Sequence, residues 1–186
     1  MNKRIILFGL ALLLVTFNSC IVDPLLDEVK TEITIVFSAG PYAGQELKFE
    51  SKNTSDDLNF YFNNNVTRVY CKPLISVDGR AMNSSSSINF AWQGSPGSGD
   101  FSAVNFVDVS SVTAGDIELS YADGELLSCS IPKSALLKID AYLEPNNLVS
   151  GTTTFSSILN YDKNGSSNVY QSQCTLTFNF LRGADK

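Results

Sequence analysis

Apolar and polar residues alternate along most of the chain that follows residue 30. Apolar side chains recur at every second position in short runs, which is the period of a strand with one buried face. The runs are Ile33–Phe37, Leu47–Phe49, Leu58–Phe62, Ile88–Trp92, Ile117–Tyr121, Leu127–Ile131, Leu137–Leu143 and Tyr170–Phe180. Turn-forming pairs such as Asp78-Gly79, Asp123-Gly124 and Asn164-Gly165 separate some of them. The pattern therefore predicts a chain built from strands.

The predicted fold is all-β: an antiparallel β-sandwich, or a barrel-like variant, of about ten short strands. From Lys138 onward the alternation predicts a three-stranded antiparallel meander with turns near Pro145 and Gly165. The segment Pro132–Leu137 is the one place in the whole domain where a helical turn is expected. The stretch Gly94–Asp100 has the Gly, Ser and Pro composition of a flexible loop.

The first residues have a different character, with Lys3 and Arg4 preceding an apolar run from Ile5 to Val15. As a helix, this run would be about 16 Å long at the usual rise per residue. The hydrocarbon core of a bilayer is about 30 Å thick. The run is therefore interpreted as the apolar part of a signal peptide and not as a transmembrane anchor.

Ser19 and Cys20 end this segment, and a small residue directly before a cysteine resembles a bacterial lipoprotein signal of the Bacteroidota type. The resemblance implies removal of residues 1–19 and attachment of acyl chains to Cys20. Residues 20–30 would be a lipidated tether and residues 31–186 a single β-domain. Ile21 after the cysteine implies the outer membrane, with the domain facing the periplasm or the cell surface. The alternative is an ordinary signal peptide with an incidental cysteine.

Composition and charge narrow the chemistry that the chain can perform. The chain has no histidine, a formal charge of −6 and 17% charged residues. The missing histidine excludes Ser-His-Asp and Cys-His catalysis and His-ligated metal sites. The negative charge argues against a nucleic-acid partner. No cofactor and no metal site is predicted.

Three cysteines follow Cys20, namely Cys71, Cys129 and Cys174, and their spacing resembles no zinc site. Cys129 and Cys174 each lie on the apolar face of a predicted strand, so both are expected to point inward. An exported protein permits a disulfide between them. The alternative is that all three are buried thiols that act as small apolar side chains.

Trp92, Tyr61 and Tyr70 are the candidate residues for stacking on a ligand. Trp92 precedes the Gly-Ser-Pro loop, and the two tyrosines flank the amide-rich turn Asn63-Asn64-Asn65. Aromatic rings beside amides suit a neutral glycan. Trp92 shares its face with Ile88 and Phe90, however, so a place in the core is the competing interpretation.

The leading functional hypothesis is a lipid-anchored, non-enzymatic β-domain that binds a glycan or a protein at the cell envelope. The first alternative is a structural or accessory subunit of an envelope assembly, in which exposed strand edges pair with neighbours. The second is a hydrolase with paired carboxylates, although many acidic residues lie beside turn residues or at strand ends.

The C-terminal part of the chain adds a second resemblance. Leu148–Phe155, Tyr161–Gly165 and Cys174–Phe178 resemble the closing hairpin of small β-rich Bacteroidota lipoproteins. That group is largely without assigned activity. The resemblance therefore implies the fold and the compartment, and it implies no reaction.

Overall fold

The computed structural model describes residues 31–51, 58–63, 66–71, 75–76, 79–93, 97–104, 113–142 and 148–181. The predicted signal peptide, the lipidation site and the tether lie outside these ranges, as does the turn at Pro145. The described part of the chain contains no helix that is long and apolar enough to span a bilayer.

The described chain consists of strands and their connections, which confirms the predicted all-β class. The strands are β1 (Thr31–Phe37), β2 (Glu46–Ser51), β3 (Leu58–Asn63), β4 (Val66–Cys71), β5 (Ile75–Ser76), β6 (Ser87–Gln93), β7 (Gly99–Val104), β8 (Thr113–Ser120), β9 (Glu125–Pro132), β10 (Leu136–Tyr142), β11 (Leu148–Lys163) and β12 (Ser166–Leu181). There are twelve strands within the described ranges, and β11 and β12 have 16 residues each. These two are therefore far longer than the short strands that the sequence predicts.

The strands form one hydrogen-bonded sheet with the order β10-β7-β6-β8-β9-β11-β12-β1-β2-β5. β4 pairs with the other edge of β6, and β3 pairs with β4. Because β10 also pairs with β11, the strands β6, β8, β9, β11, β10 and β7 close into a ring. All ladders between strands are antiparallel, so the arrangement is compatible with the predicted sandwich or barrel-like variant.

The core lies between the inner faces of these strands, and its centre is aromatic. Phe90 and Trp92 on β6 meet Phe178 on β12, with ring centroids 5.2 and 6.2 Å from that of Phe178. Phe178 also stacks on Phe180 at 5.2 Å. All four rings are at most 1% exposed. Burial of a large apolar side chain contributes about 1.5–3 kcal/mol, so this contact between β6 and β12 is a major source of stability.

The predicted C-terminal meander is confirmed, since β11 pairs antiparallel with both β10 and β12. Asn164 and Gly165 form the tip of the last hairpin with φ angles of 54° and 79°. Positive φ at both positions is the requirement of the two-residue turn that Asn-Gly favours.

The prediction of a helical turn over Pro132–Leu137 is wrong. The chain makes a tight turn there, closed by a 3.0 Å hydrogen bond from Ala135 N to Pro132 O, because β9 and β10 leave only a short connection.

The molecule has two ends with different contents. At the terminal end, β1 begins and β12 ends, with Glu32 opposite Asn179. The opposite end, here called the loop end, carries residues 38–45, 79–86 and 121–124 and the tip of the β11–β12 hairpin. A backbone bridge between Met82 and Tyr121 joins two of these loops. Thr31, where the described chain starts, is thus separated from the loop end by the length of β1.

Among the glycines of the described ranges, Gly115 on β8 has the least room for a side chain. A Cβ built on it would lie 2.0 Å from the carbonyl oxygen of Asn89 and 2.7 Å from the Cα of Phe90. Both contacts are with backbone atoms, which cannot move aside as a side chain can.

We expect Gly115→Ala to lower the free energy of unfolding by about 3 kcal/mol in chemical denaturation. Gly165→Ala is the control, since its Cβ meets nothing within 4 Å and its positive φ costs only about 1 kcal/mol. Equal losses in the two variants would contradict this account.

Candidate ligand-binding face

A polar groove of about 330 Å³ crosses the outer face of β6, β8, β9 and β11. One row of its lining follows the strand register. Ser87 lies opposite Glu118, Glu118 opposite Ser128, and Ser128 opposite Asn160. Four neighbouring strands thus each contribute one polar side chain to the same line. We call this cavity the first groove.

A second row of the first groove contains Asn89, Asp116 and Ser130, one from each of β6, β8 and β9. Ser130 Oγ donates a 2.8 Å hydrogen bond to Asp116 Oδ1, and the amide of Asp116 donates to Asn89 Oδ1 at 3.3 Å. These bonds hold the three side chains in place. The other oxygen of Asp116 is left available to accept a hydrogen bond from a ligand.

A second groove of about 390 Å³ lies on the β11–β12 hairpin. Its outer lining consists of Ser156, Ile158, Gln171 and Gln173. Ser156 is opposite Gln173 and Ile158 is opposite Gln171, so the four side chains form two cross-strand pairs. Ile158 is 56% exposed, which is unusual for a large apolar residue. The second groove therefore combines amide groups with an accessible aliphatic surface.

The two grooves offer hydrogen-bonding groups and, at Ile158, an aliphatic surface, but no positive charge. Neither lining contains Lys or Arg. Across the described ranges, no three His, Cys, Asp or Glu side chains gather in a way that could hold a metal ion. The ion pairs found in that part of the chain involve neither Asp116 nor Glu118. The arrangement suits recognition of a hydroxyl-rich ligand.

The prediction that Trp92 is a candidate residue for stacking on a ligand is wrong. Its side chain has 0% exposure and lies in the core against Phe90 and Phe178. It alternates in phase with Ile88 and Phe90, so the strand period directs it inward. A ring with no exposed face cannot stack on a ligand, and the competing interpretation from the sequence is the correct one.

Tyr70 is on the outer face of β4, half-buried, and opposite Asn89 of the first groove. The structure therefore places one of the three predicted aromatics beside the groove. Tyr61 is on β3, opposite Arg68 of β4. The side chain of Tyr61 lies outside the described part of the structure. Residues 64–65 of the amide-rich turn also fall outside it.

Cys129 and Cys174, the predicted candidates for a disulfide, are neighbours in the core. A hydrogen bond with the Cys129 thiol, together with burial, raises the pKa of the Cys174 thiol far above its ordinary value. The structure contains both as thiols, and Cys71 is likewise a buried thiol whose pKa is raised by burial. All three side chains are buried in the core of the folded protein.

A buried carboxylate at the loop end is the feature that the sequence did not reveal. The side chain of Glu125 has 0% exposure. It accepts hydrogen bonds from Tyr42 Oη, from Arg80 at 3.1 Å and from Lys163 at 3.1 Å. Arg80 also bonds Tyr42 Oη at 2.7 Å and lies 3.7 Å above the centre of the Tyr121 ring. We call these residues the Glu125 cluster.

The charges of the Glu125 cluster are fixed near neutral pH. Burial alone would raise the pKa of Glu125, but the bonds from Tyr42, Lys163 and Arg80 outweigh it and hold the pKa below its usual 4.5. Burial, followed by the bond to Glu125, raises the pKa of the Tyr42 hydroxyl well above its ordinary value. Neither group is poised to exchange a proton at pH 7. The cluster joins the β1–β2 connection and the segment before β6 to the first residue of β9 and the last residue of β11.

One sequence signal could have located Glu125. It stands in phase with Leu127, Cys129 and Ile131, at the start of a strand whose alternate residues are all buried. A carboxylate at an inward-facing position requires cationic or hydrogen-bonding partners. Those partners are distant in sequence: Tyr42 and Arg80 lie in loops, and Lys163 is the last residue of β11. Alternation alone therefore does not identify them.

No family model, no curated protein and no solved structure matches the chain.

Replacing Glu125 with Gln tests the role of the cluster. The change leaves Arg80 and Lys163 without their shared anion. Because these side chains are 26% and 48% exposed, water compensates them in part. We expect a loss of about 3 kcal/mol in the free energy of unfolding at pH 7, at the low end for a broken buried pair. Asp123→Asn is the control, because Asp123 is 54% exposed and water screens its pair with Arg80, so the stability should change little.

The stabilities of wild type and Glu125→Gln should depend differently on pH. The folded pKa of Glu125 lies below its unfolded value, so its contribution is complete above pH 4.5 and is lost as the pH falls through the folded pKa. The stability difference between wild type and Glu125→Gln should therefore narrow below pH 4.5. A difference that stays constant down to pH 2 would show that the carboxylate charge is not what stabilises the loop end.

Proposed function

We propose that this protein is a lipid-anchored lipoprotein of the cell envelope whose non-enzymatic β-domain binds a glycan or a protein. The anchor rests on the signal-like segment that ends in Ser19-Cys20. The binding role rests on the first groove, where seven polar or charged side chains from four strands line one cavity. That groove is the single observation that carries the proposal.

The fixed geometry of the groove supports binding. Its side chains are carried by strands. Ser130 Oγ donates a hydrogen bond to the Asp116 side chain, and the backbone amide of Asp116 donates one to the Asn89 side chain. Tyr70 beside Asn89 adds an aromatic edge. A rigid polar surface with one aromatic at its margin loses little conformational freedom when it takes up a ligand.

The direction of the chain also fits an anchor at Cys20. Residues 21–30 can span at most about 35 Å when fully extended. They would join the domain at Thr31, which is at the terminal end. Ser87 and Asn160 of the first groove lie toward the loop end, close to the start of β6 and the end of β11. An anchored domain would thus hold the first groove away from the membrane.

An accessory or structural role in an envelope assembly is the second candidate, and the sheet edges favour it. β3 pairs with β4 alone, and β5 pairs with β2 alone, among the strands of the described ranges. An edge strand presents backbone groups that can pair with a strand of another protein.

Replacing Cys20 with Ser tests the anchor. Wild-type protein in a Gram-negative host should incorporate an alkyne-labelled fatty acid and sediment with membranes. Cys20→Ser should lose the label and accumulate as unprocessed or soluble protein, because the thioether and the new amino terminus that carry the chains cannot form. Cys71→Ser is the matched control and should keep the label. Equal labelling of both variants would contradict lipidation at Cys20.

Screening the soluble domain on a glycan array and against cross-linked envelope extracts tests the binding role. Asn89→Ala should weaken a retained ligand by roughly tenfold, the equivalent of about 1.4 kcal/mol. Thr154→Ala should leave binding unchanged, since Thr154 is exposed on β11 and bonds Thr175 across the hairpin at 3.1 Å. Retention of nothing above background, or release of shortened glycans by the domain, would contradict a non-enzymatic binding function.

A further inference from the structure

We propose that the two grooves form one continuous face that binds an extended, uncharged polysaccharide chain lying across the strands. This inference deepens the proposed function and depends on it. It assigns the ligand class, and it assigns the second groove to the same site as the first.

The continuity of the face follows from strand register. Asn160 lines the first groove and Ile158 lines the second, and both are on the outer side of β11 two residues apart. Val169 lies opposite Asn160, and Gln171 lies opposite Ile158. Asn160 of the first groove therefore adjoins Ile158 and Gln171 of the second groove, and Val169 lies beside them on the same outer face.

The length of the face indicates an extended ligand. From Tyr70 on β4 the face crosses β6, β8, β9 and β11 to Gln171 on β12. These are five steps between neighbouring strands, and at about 4.8 Å each they span about 24 Å along the curved outer surface of the sheet. That span exceeds a disaccharide, so a longer chain can contact both ends at once.

The charge of the lining indicates an uncharged ligand. The first groove contributes Asp116 and Glu118, and the second groove has amides, serine hydroxyls and no ionised group. With no Lys or Arg in either lining, an anionic polysaccharide would bring unpaired negative charge beside two carboxylates. A neutral sugar instead donates its hydroxyl groups to those carboxylates and to the amide oxygens.

The exposed aliphatic residues complete the match to a sugar chain. Ile158 and Val169 are 56% and 66% exposed, and both point outward from the same part of the hairpin. They lie between the amides of Asn160 and Gln171. A pyranose ring has apolar C–H faces and polar edges, so aliphatic contacts flanked by amides are complementary to it. A basic peptide would find its charge partners at only one end of the face.

A length series of neutral oligosaccharides tests the inference by titration calorimetry on the soluble domain. The probes are disaccharides and longer oligomers of β-linked glucose and of α-linked mannose, an oligogalacturonate as the acidic probe and oligolysine as the basic one. Affinity for one neutral series should rise by at least tenfold from disaccharide to long oligomer. The acidic and basic probes should bind at least tenfold more weakly than that oligomer.

Variants at the two ends of the face separate one site from two. Asp116→Asn and Gln171→Ala should each weaken the long oligomer by roughly tenfold, while only one of them affects a disaccharide. Thr177→Ala is the matched control, exposed on the same side of β12 but well beyond the second groove, and should leave affinity unchanged. Thermal unfolding of each variant confirms that the domain is intact.

The outcomes distinguish this inference from the function on which it rests. If affinity is the same for disaccharide and long oligomer, the continuous face is wrong, and a glycan-binding domain with one short site remains. If oligogalacturonate or oligolysine binds best, the assignment of an uncharged ligand is wrong. If no saccharide binds and a protein partner is recovered from envelope extracts, this inference fails while the broader proposal stands. If neither is found, both fail.

Discussion

The pairing of β11 with β12 is the constraint on which the rest of the structure depends. Sixteen consecutive residue pairs join the two strands, from Leu148–Leu181 to Lys163–Ser166. The other edge of β11 is divided, since its first part pairs with β10 and its last part with β9. One strand thereby directs the chain into two branches of the sheet, which meet again at β6. Hydroxyl pairs such as Thr154–Thr175 on the outer face reinforce the ladder without drawing on the core.

The Glu125 cluster joins the segments of the loop end, as the β11–β12 ladder joins the branches of the sheet. β9 meets β11 only at Glu125–Ser128 and Asn160–Lys163, which is a short junction close to the tip of the hairpin. The buried carboxylate lies at the outermost residue of that junction and takes partners from the β1–β2 connection and from the segment before β6. The first groove begins within three residues of the same point, at Ser128 and Asn160. The order of the loop end and the shape of the groove therefore have a common support.

The sequence predicted those strands in which one face alone is apolar, because burial on a single face produces alternation. It missed β4, where Val66 and Tyr70 are apolar on the outer side while Val69 and Cys71 point inward. The alternation weakens in the second half of β11, where Ser156, Ser157 and Asn160 stand in place of apolar residues. The groove itself could not be predicted. Its lining comes from strands whose neighbours in space are set by register and by the ring closure, and no local pattern encodes either.

The position of Trp92 has a consequence for how this protein can be observed. It is the only tryptophan in the chain, and it lies between Phe90 on its own strand and Phe178 on β12. Its indole therefore reports, from a single site, on whether the two halves of the core are in contact. Separation of β6 from β12 would move that one fluorophore from a dry aromatic environment into water and shift its emission to longer wavelength. Occupation of the outer face would leave its surroundings unchanged, so this intrinsic signal records the integrity of the fold and is silent about the ligand.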